Sequence, residues 1–329
     1  MKAQPLRLRF LNDVLKTIAT HCPPFYRKLF IFKEPFKSRF MDSIPQFDPI
    51  KYKTTTKEQW QTASEAWYRW SPTLNEWLGK ATDKMLEMTS VGSGHRVLDI
   101  AAGAGEQSIT AAKKVGPSGS VLATDIAPNI LEYAKLLAEQ NGISNIDTAV
   151  MDGENLTLDD NTFDAVISRV GLIYFPNQQQ ALKEMLRVLK PGGKIGAIVY
   201  SVPENNKFFS VPVSIIRKRA QLPPPLPGQP GPFSLGGDGV INKAFSDAGF
   251  INVRSEIIDS PLKLSTAKEC VRFEKESFGA LHQMMSGLSE TEKLSVWDEI
   301  ENELKKFEGE SGFVGPCEMV VAVGEKPGA

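Results

Sequence analysis

Hydrophobic and polar positions change their spacing along the chain. Between about residues 94 and 200, short apolar runs typical of buried strands alternate with stretches whose apolar residues recur every three or four positions, as in amphipathic helices. The predicted strands are 96–101, 119–125, 145–152, 164–170 and 193–200. The predicted helices between them are 105–115, 127–141 and 177–190. This alternation indicates βαβ crossovers and a parallel sheet, hence an α/β fold.

The pattern differs on both sides of this region. Helices rich in tryptophan are predicted over 57–89. After the sheet, six prolines within 221–232 predict an irregular segment. The remaining predicted elements are a helix at 239–248, a strand at 250–259, helical stretches across 265–308 and a strand at 317–325.

We therefore expect three parts in a chain of 329 residues, of which 41% are hydrophobic and 23% charged. These are a basic amphipathic N-terminal arm (1–40), a helical N-terminal lid (41–93) and a main domain (94–329). Two cap segments, a proline-rich loop at about 203–236 and a helical insertion at about 265–308, would interrupt the main domain and shape a substrate pocket. The composition is that of a soluble globular protein with a sizeable core.

The arm carries nine basic and two acidic residues, and Leu8, Leu11, Leu15 and Ile18 follow helical spacing. It is interpreted as a helix docked on the domain, as a segment that binds a membrane surface, or as a targeting presequence, and scarce serine argues against the last. Since the whole chain has a formal net charge of -1, the rest is acidic. No nucleic-acid partner is expected.

Three cysteines, Cys22, Cys270 and Cys317, lie far apart with no C-x-x-C pair. This spacing disfavours a disulfide framework and a structural zinc site, and it favours a reducing, cytoplasmic location that is peripheral to a membrane if the arm binds one. No apolar run approaches 18 residues, so no transmembrane helix is expected. Ligand-like spacing of His, Cys and carboxylates is also absent, so we expect no metal.

The segment with the clearest chemistry is VLDIAAGAGEQ, 97–107. A buried strand ends near Asp99, and a loop of small residues leads into a helix, so that a ligand can approach the backbone and meet free N–H groups. Dinucleotide enzymes place G-x-G-x-x-G here, but Ser108 occupies the third glycine position. A carboxylate at Asp99 would repel a pyrophosphate and attract an ammonium or sulfonium group. A nicotinamide-dependent oxidoreductase is therefore disfavoured.

This segment resembles the first motif of the class I S-adenosylmethionine-dependent methyltransferases, an acidic residue followed by G-x-G-x-G, with Ala101 at the first glycine position. LKPGGKIGAIVY, 189–200, is similar to the family's entry to its fifth strand. The resemblance is close over about 94–200 and loose elsewhere. It implies a Rossmann-like, seven-stranded, mostly parallel sheet with helices on both faces, and S-adenosyl-L-methionine as cofactor.

The resemblance also implies a cofactor site. Asp125 ends the second strand, about 20 residues after the glycine loop, where a carboxylate accepts the ribose hydroxyls. At the end of the third strand, Asp152-Gly153 would bind the adenine amino group and Met151 would lie on the ring. The complete set of implied cofactor residues is Asp99, Ala101, Gly103, Gly105, Asp125, Ile126, Met151, Asp152, Gly153 and Ser168.

Within the family, residues 163–194 are most similar to ubiquinone and menaquinone C-methyltransferases. Those enzymes carry G-x-R-N after the fourth strand, whereas this chain has Gly171-Leu172-Ile173-Tyr174, with Ile173 in place of the arginine. The acceptor therefore stays open, and we expect a small hydrophobic or aromatic molecule. Such a transfer is an in-line displacement that depends mainly on alignment.

Candidate acceptor residues are Arg169 and Tyr174, which flank the end of the fourth strand, and His282, a candidate base in the 265–308 segment. The alternatives for Arg169 and Tyr174 are a surface salt bridge and a core aromatic. Tyr68 and Trp70 would close over the cationic cofactor or pack between helices.

Two other classes of function compete with a small-molecule enzyme. An RNA or protein methyltransferase is one, but no N/D-P-P-Y/F motif follows the fourth strand. A non-catalytic cofactor-binding module is the other, and it would show a degraded motif, which this chain does not. The oligomeric state is not predicted.

Overall fold

A seven-stranded sheet organises the part of the chain that the computed structural model describes, residues 47–226 and 229–328. Its parallel strands are β1 (Arg96–Ile100), β2 (Ser120–Asp125), β3 (Ile146–Val150), β4 (Phe163–Arg169) and β5 (Leu189–Tyr200). They lie in the order β3-β2-β1-β4-β5. All five therefore end at one edge of the sheet, and the order reverses between β1 and β4, where α/β folds bind ligands.

Two strands from the C-terminal part complete this sheet. They are β6 (Ile251–Asp259) and β10 (Glu318–Glu325), and the full order is β3-β2-β1-β4-β5-β10-β6. Of the two, β10 runs antiparallel to its neighbours and β6 runs in the same direction as β1–β5. β10 lies against β5, with Val321 opposite Ile198 and Met319 opposite Tyr200. The predicted seven-stranded, mostly parallel sheet is confirmed.

Helices follow the parallel strands as the apolar periodicity predicts. They are α3 (Glu106–Val115), α4 (Pro128–Gln140) and α5 (Gln178–Val188). In α5, the Asn177 side chain caps the Gln180 N–H, while Leu182 and Met185 are buried on one face. The predicted start of β5, residue 193, is too late, because the strand begins at Leu189 and includes Pro191 and Gly192. A register shift between Phe163 and Ala165 of β4 accommodates them.

The tryptophan-rich segment forms α1 (Pro49–Arg69) and α2 (Ser71–Met88). α1 begins eight residues before the predicted start, because the Asp48 carboxylate accepts hydrogen bonds from the N–H groups of Ile50 and Lys51. α2 packs on β5 and β10, with Met85 against Gly196. Both helices fall in the compact unit Asp48–Ala329, whereas the predicted arm lies outside the described residues.

After β5 the chain returns to helices. They are α6 (Lys207–Arg219), α7 (Val240–Ala248), α8 (Ala267–Ser277), α9 (Gly279–Met284) and α10 (Glu290–Leu304). A small sheet combines β7 (Leu262–Leu264), β8 (Glu308–Gly309) and β9 (Gly312–Gly315). The prediction of a loop across 203–236 is wrong over α6, which keeps Pro212 in its interior because Phe208, Phe209 and Ile216 bury its apolar face. Among the helices described, none is both long enough and apolar enough to cross a membrane.

Candidate functional site

A cavity opens at the carboxyl edge of the parallel strands. It contains about 900 Å³ of empty space, counting its open mouth. Residues that follow β1, β2, β3 and β4 line it, as does Tyr200 at the end of β5. Since neighbouring strands are about 4.8 Å apart, a site that reaches from β3 to β5 spans roughly 19 Å.

Most residues predicted for the cofactor lie on this cavity. They are Ala101, Gly103, Asp125, Ile126, Met151, Asp152 and Gly153. Asp99, Gly105 and Ser168 do not line the cavity.

The loop after β1 is built from left-handed backbone. Ala101, Gly103 and Gly105 have φ angles of 57°, 58° and 91°. The Gly103 N–H donates to Asp125 at 3.1 Å. A Cβ at Gly105 would come within 2.9 Å of the Ala134 Cβ on α4, so this glycine allows α3 and α4 to pack closely and is not a cavity residue.

Asp125 joins the loops that follow β1 and β2. Its carboxylate accepts hydrogen bonds from the N–H groups of Gly103 and Ala127, the latter at 2.9 Å. Burial raises the pKa of Asp125. Because this carboxylate also lines the cavity, it can accept further hydrogen bonds from a ligand's hydroxyl groups.

Asp99 lies behind the cavity lining, contrary to the prediction that it faces the ligand. Its carboxylate accepts from Ser108 Oγ at 2.5 Å and from Gln107 Nε2 at 3.3 Å. Burial raises the pKa of Asp99 to about 7. Gln107 does line the cavity, and its buried Oε1 has no hydrogen-bond partner among the residues described. Gln107 was not predicted, although its place directly after the glycine loop was a usable signal.

Ser168 is fully buried below the turn that follows β4. A Cβ added to Gly171 would come within 2.9 Å of its Oγ and would collide with the Cβ of Ala101. The tight contact between the two loops therefore depends on glycine at 171, and Ser168 supports that contact from behind.

One face of α1 covers the cavity. Lys53, Thr56, Trp60 and Trp67 follow helical spacing and all line it. Lys53 Nζ lies 2.7 Å from Asp152 Oδ2 and 2.6 Å from a Glu154 oxygen. Trp67 lies over the glycine loop, where a Cβ at Gly103 would approach its Nε1 to 3.2 Å.

The tryptophan and tyrosine chosen from the sequence are on other faces of this segment. Tyr68 stacks on Tyr133 with ring centroids 5.0 Å apart, and Trp70 donates its N–H to Glu276 at 2.8 Å. The prediction that Tyr68 and Trp70 close over the cofactor position is therefore wrong, since neither lines the cavity.

Arg169 and Tyr174 line the cavity, as predicted. Arg169 is not in a surface salt bridge, because its Nη2 makes a buried ion pair with Glu106 at 2.8 Å, with 3% of the arginine side chain exposed. The opposite oxygen of Glu106 accepts from Ser71 Oγ at 2.6 Å. Tyr174 packs edge-on against Trp60, and burial raises the pKa of Tyr174.

Ile173, at the position where the ubiquinone and menaquinone enzymes carry arginine, is fully buried and does not line the cavity. The positive charge on this side of the cavity comes from Arg169 instead.

His282 is not a cavity residue. Its Nε2 lies 2.7 Å from the carbonyl oxygen of Lys275, and its ring packs against Trp297. The prediction of His282 as a base in the substrate pocket is wrong.

The two predicted cap segments contribute unequally. Phe278, between α8 and α9, lines the cavity, whereas no described residue of 203–236 does. In that segment, Phe209 stacks behind Tyr200 and lies against Phe278, with ring centroids 6.0 Å and 4.8 Å away. No group of three or more His, Cys, Asp or Glu residues within the described ranges is arranged to hold a metal ion.

Sheet order and cavity position define the Rossmann-like fold of the S-adenosylmethionine-dependent methyltransferases. The YcgJ protein of Bacillus subtilis superposes with a TM-score of 0.53 at 18% identity, covering 76% of this chain and 100% of that one. Phosphoethanolamine N-methyltransferase 2 of Haemonchus contortus, solved with S-adenosylhomocysteine, gives 0.50 at 18%, covering 79% and 57%. These similarities establish the fold.

Residues 75–218 match the model of the ubiE/COQ5 methyltransferase family. The ubiquinone/menaquinone biosynthesis C-methyltransferase UbiE of Pseudomonas aeruginosa (strain LESB58) is 38% identical over 122 residues, which cover 37% of this chain and 48% of that protein. The Pseudomonas fluorescens (strain SBW25) enzyme of the same name is 38% identical over 121 residues, covering 36% and 47%. The chain therefore spans about half the length of these relatives, and its similarity to this branch of the methyltransferases is confirmed.

Proposed function

We propose that this protein transfers a methyl group from S-adenosyl-L-methionine to a small hydrophobic or aromatic acceptor. The observation that carries the proposal is one continuous cavity that joins two sets of residues. The first set lies at or just after the ends of β1–β3 and comprises the motif loop, Asp125 and the Asp152-Gly153 turn. The second set lies at or just after the ends of β4 and β5 and comprises Arg169, Tyr174 and Tyr200.

The residues of the first set fit the cofactor. Asp125 offers a carboxylate to the ribose hydroxyls, and Ile126 and Met151 offer apolar surface to the adenine ring. The unpartnered Oε1 of Gln107 can accept from an ammonium group. The rings of Trp60 and Trp67 favour a cation nearby. Asp99, Gly105 and Ser168 would act from behind, by charge and by shaping the backbone.

When bound, the cofactor supplies a methyl group that is already electrophilic. The protein then needs to align the acceptor, and no nucleophilic side chain is required. α1 closes the cavity on one side through Lys53 and the two tryptophans, which limits access of water. We propose that α1 and α2 act as the lid.

An aromatic or hydrophobic acceptor suits the second set. Tyr174, Phe175, Tyr200 and Phe278 give this part of the cavity an aromatic wall. The names of the relatives refer to ubiquinone and menaquinone biosynthesis. Ile173 departs from the G-x-R-N pattern of that branch, so we extend the proposal only to the class of small aromatic or hydrophobic acceptors. The arm, residues 1–40, would add peripheral contact with a membrane in which such an acceptor dissolves.

Incubation with methyl-labelled S-adenosylmethionine, followed by separation of lipid, polar-metabolite, RNA and protein fractions, tests the proposal. We expect label in the lipid or small-molecule fraction. Label in RNA or protein would favour the competing enzyme classes, and no label with intact cofactor binding would favour a non-catalytic module.

Cofactor binding is tested separately by calorimetry with S-adenosylhomocysteine. Asp125→Ala should weaken binding by roughly 1–3 kcal/mol, because the ribose hydroxyls lose their partner. Asp147→Ala, which removes an exposed carboxylate of β3, is the control and should bind like the wild type. Tight binding of NAD with no binding of the adenosyl ligand would falsify the proposed function.

A further inference from the structure

We propose that Arg169 binds an anionic oxygen of the methyl acceptor, and that Glu106 is the positioning residue that holds the guanidinium in place. The acceptor class is thereby narrowed to acidic aromatic molecules, such as carboxylates, enolates and acidic phenols. This inference rests on the proposed function, because it assigns one part of the same cavity.

Hydrogen bonding of Arg169 is incomplete. Its side chain is 3% exposed and lines the cavity, yet Nη2 alone makes a side-chain hydrogen bond, to Glu106. Within the described residues, Nε and Nη1 have no acceptor. Because Arg169 lines the cavity, a ligand oxygen there would satisfy these donors in a planar, two-bond geometry.

Two tyrosines on the same cavity offer further donors. Tyr174 and Tyr200 both line the cavity. Burial raises the pKa of both, so they stay protonated and able to donate. An arginine and two neutral tyrosines select for ligand atoms that accept hydrogen bonds, and the positive charge favours an ionised oxygen.

Glu106 and Ser71 fix the arginine from behind. Glu106 is fully buried and bridges Ser71 Oγ and Arg169 Nη2 with its two oxygens. These residues begin α3 and α2 and end β4, so the guanidinium is held by three elements. The Glu106 carboxylate also repels an acceptor anion at the same guanidinium, and it therefore weakens the binding of that anion.

The lining of the cavity lacks an obvious base on the acceptor side. No histidine of the described chain lines it, and its one lysine, Lys53, is paired with Asp152 and Glu154. An acceptor that is already ionised at neutral pH needs no base from the protein, which agrees with the acidic class inferred here.

The test measures the binding of 2-naphthoate and 2-naphthamide to the full chain saturated with S-adenosylhomocysteine. The two probes have the same rings and differ in charge. We expect naphthoate to bind the wild type at least tenfold more tightly. Arg169→Met should abolish that preference, and Arg169→Lys should retain part of it.

Glu106→Gln separates positioning from a purely structural role. It keeps hydrogen-bonding atoms near Ser71 and Arg169 but removes the opposing charge, so naphthoate should bind severalfold more tightly while naphthamide is unchanged. A purely structural role would weaken both probes together. Arg187→Met, which removes an arginine paired with Glu184 outside the cavity, should leave both affinities unchanged.

The affinity for S-adenosylhomocysteine and the melting temperature of every variant distinguish the possible failures. If the wild type does not bind the adenosyl ligand, the proposed function fails. If it binds that ligand but shows no preference for naphthoate, or binds neither probe, the inference alone is overturned. It is also overturned if Arg169→Met weakens the adenosyl ligand more than tenfold and keeps the naphthoate preference, since the arginine would then serve the cofactor's carboxylate.

Discussion

Ala101 holds a left-handed backbone that glycine adopts more easily, and its Cβ faces Gly171 of the neighbouring loop. Ala101 and Gly171 are therefore a steric pair at the cavity, in which the Cβ of Ala101 fits because residue 171 has no Cβ. Val170, with φ of 57°, is a second non-glycine residue in this conformation beside the cavity. Strain of this kind persists where surrounding packing enforces it.

This pair gives a test by double substitution. Gly171→Ala should destabilise the protein by about 1–3 kcal/mol through overpacking, and adding Ala101→Gly should recover part of that loss. Urea unfolding measures both effects. Gly231→Ala, where a Cβ meets nothing within 4 Å, is the control and should change stability little. Equal stability of the single and double variants would contradict the packing assigned to the pair.

Asp99 should make stability depend on pH. Its folded pKa of about 7 is raised from an ordinary value of 3.8 by burial, so the native state binds more protons than the unfolded chain between these values. The contribution of Asp99 to stability should therefore fall as pH rises from about 4 to 7. Asp99→Asn should make that decline shallower, as measured by urea unfolding at several pH values in the absence of ligand. An unchanged slope would show that Asp99 ionises normally.

Residue-scale prediction succeeded where spacing alone locates a side chain. Gly103, Asp125 and Asp152 follow strand ends at fixed separations and do line the cavity. Asp99 was misplaced because the depth of a side chain relative to the cavity is set by packing against α3. The assignment of Gly103, Asp125, Asp152 and Asp99 to the cofactor site stays a prediction.

At the scale of elements, α1 is attached to the cavity by a small number of side chains. Lys53→Met should release its N-terminal part, because Asp152 and Glu154 lose their cation. We expect S-adenosylhomocysteine to dissociate severalfold faster, corresponding to about 1 kcal/mol. Stopped-flow displacement measures this rate. Lys51→Met, an exposed neighbour, should leave it unchanged, and equal rates in both variants would exclude this role for Lys53.

α8 contains a second buried acid, Glu274, which also affects the pH dependence of stability. Glu274 is fully buried, its Oε2 has no partner among the described residues, and burial raises its pKa well above the ordinary value of 4.5. Ionisation therefore destabilises the native state as pH rises above that value.

Glu274→Met should stabilise the protein by about 1–3 kcal/mol at pH 7 in thermal unfolding, because a buried acid whose Oε2 has no described partner is replaced by an apolar side chain. Glu276→Met on the same helix should not, since Glu276 pairs with Arg69 and Arg272 and accepts from Trp70. Loss of stability in Glu274→Met would indicate a partner for this carboxyl group.

The elements between β1 and β5 followed the apolar periodicity, whereas the start of α1 is set by the Asp48 cap and the start of β5 includes Pro191. α6 was not predicted. Proline normally breaks a helix, and Pro212 lies in the interior of α6, yet the buried aromatic face of α6 compensates for the lost hydrogen bond. For α1, the residues that line the cavity share one helical face, so a helical projection with Lys53, Trp60 and Trp67 would have selected them over Tyr68 and Trp70.

For the whole molecule, the resemblance implied the seven-stranded sheet correctly, because motif order along the chain fixes strand order in this fold. The contribution of each cap segment could not be predicted, since it depends on how α6, α8 and α9 pack together. The basic N-terminal segment lies outside the described residues, and its role stays a proposal.

Liposome flotation tests that proposal. Each basic group near an anionic membrane contributes about 1 kcal/mol, and the apolar stripe would add insertion. We expect the full chain to float with anionic vesicles, and a chain beginning at Met41 to stay behind while still binding S-adenosylhomocysteine. If the shorter chain is insoluble or unfolded, the segment is structural and membrane contact should be abandoned.

The two sides of the cavity are lined by different segments of the chain, and this has a consequence for how such a protein diversifies. Positions 100–153 supply the side proposed for the cofactor, whereas Tyr200 and Phe278 reach the other side from later segments that are not needed to form β1–β3. Under the proposed function, insertions or exchanges after β5 would therefore change the acceptor side of the cavity without altering the side formed after β1–β3. A lineage with this function would then acquire new acceptors by recombination downstream of residue 200 while it inherits the proposed cofactor side unchanged.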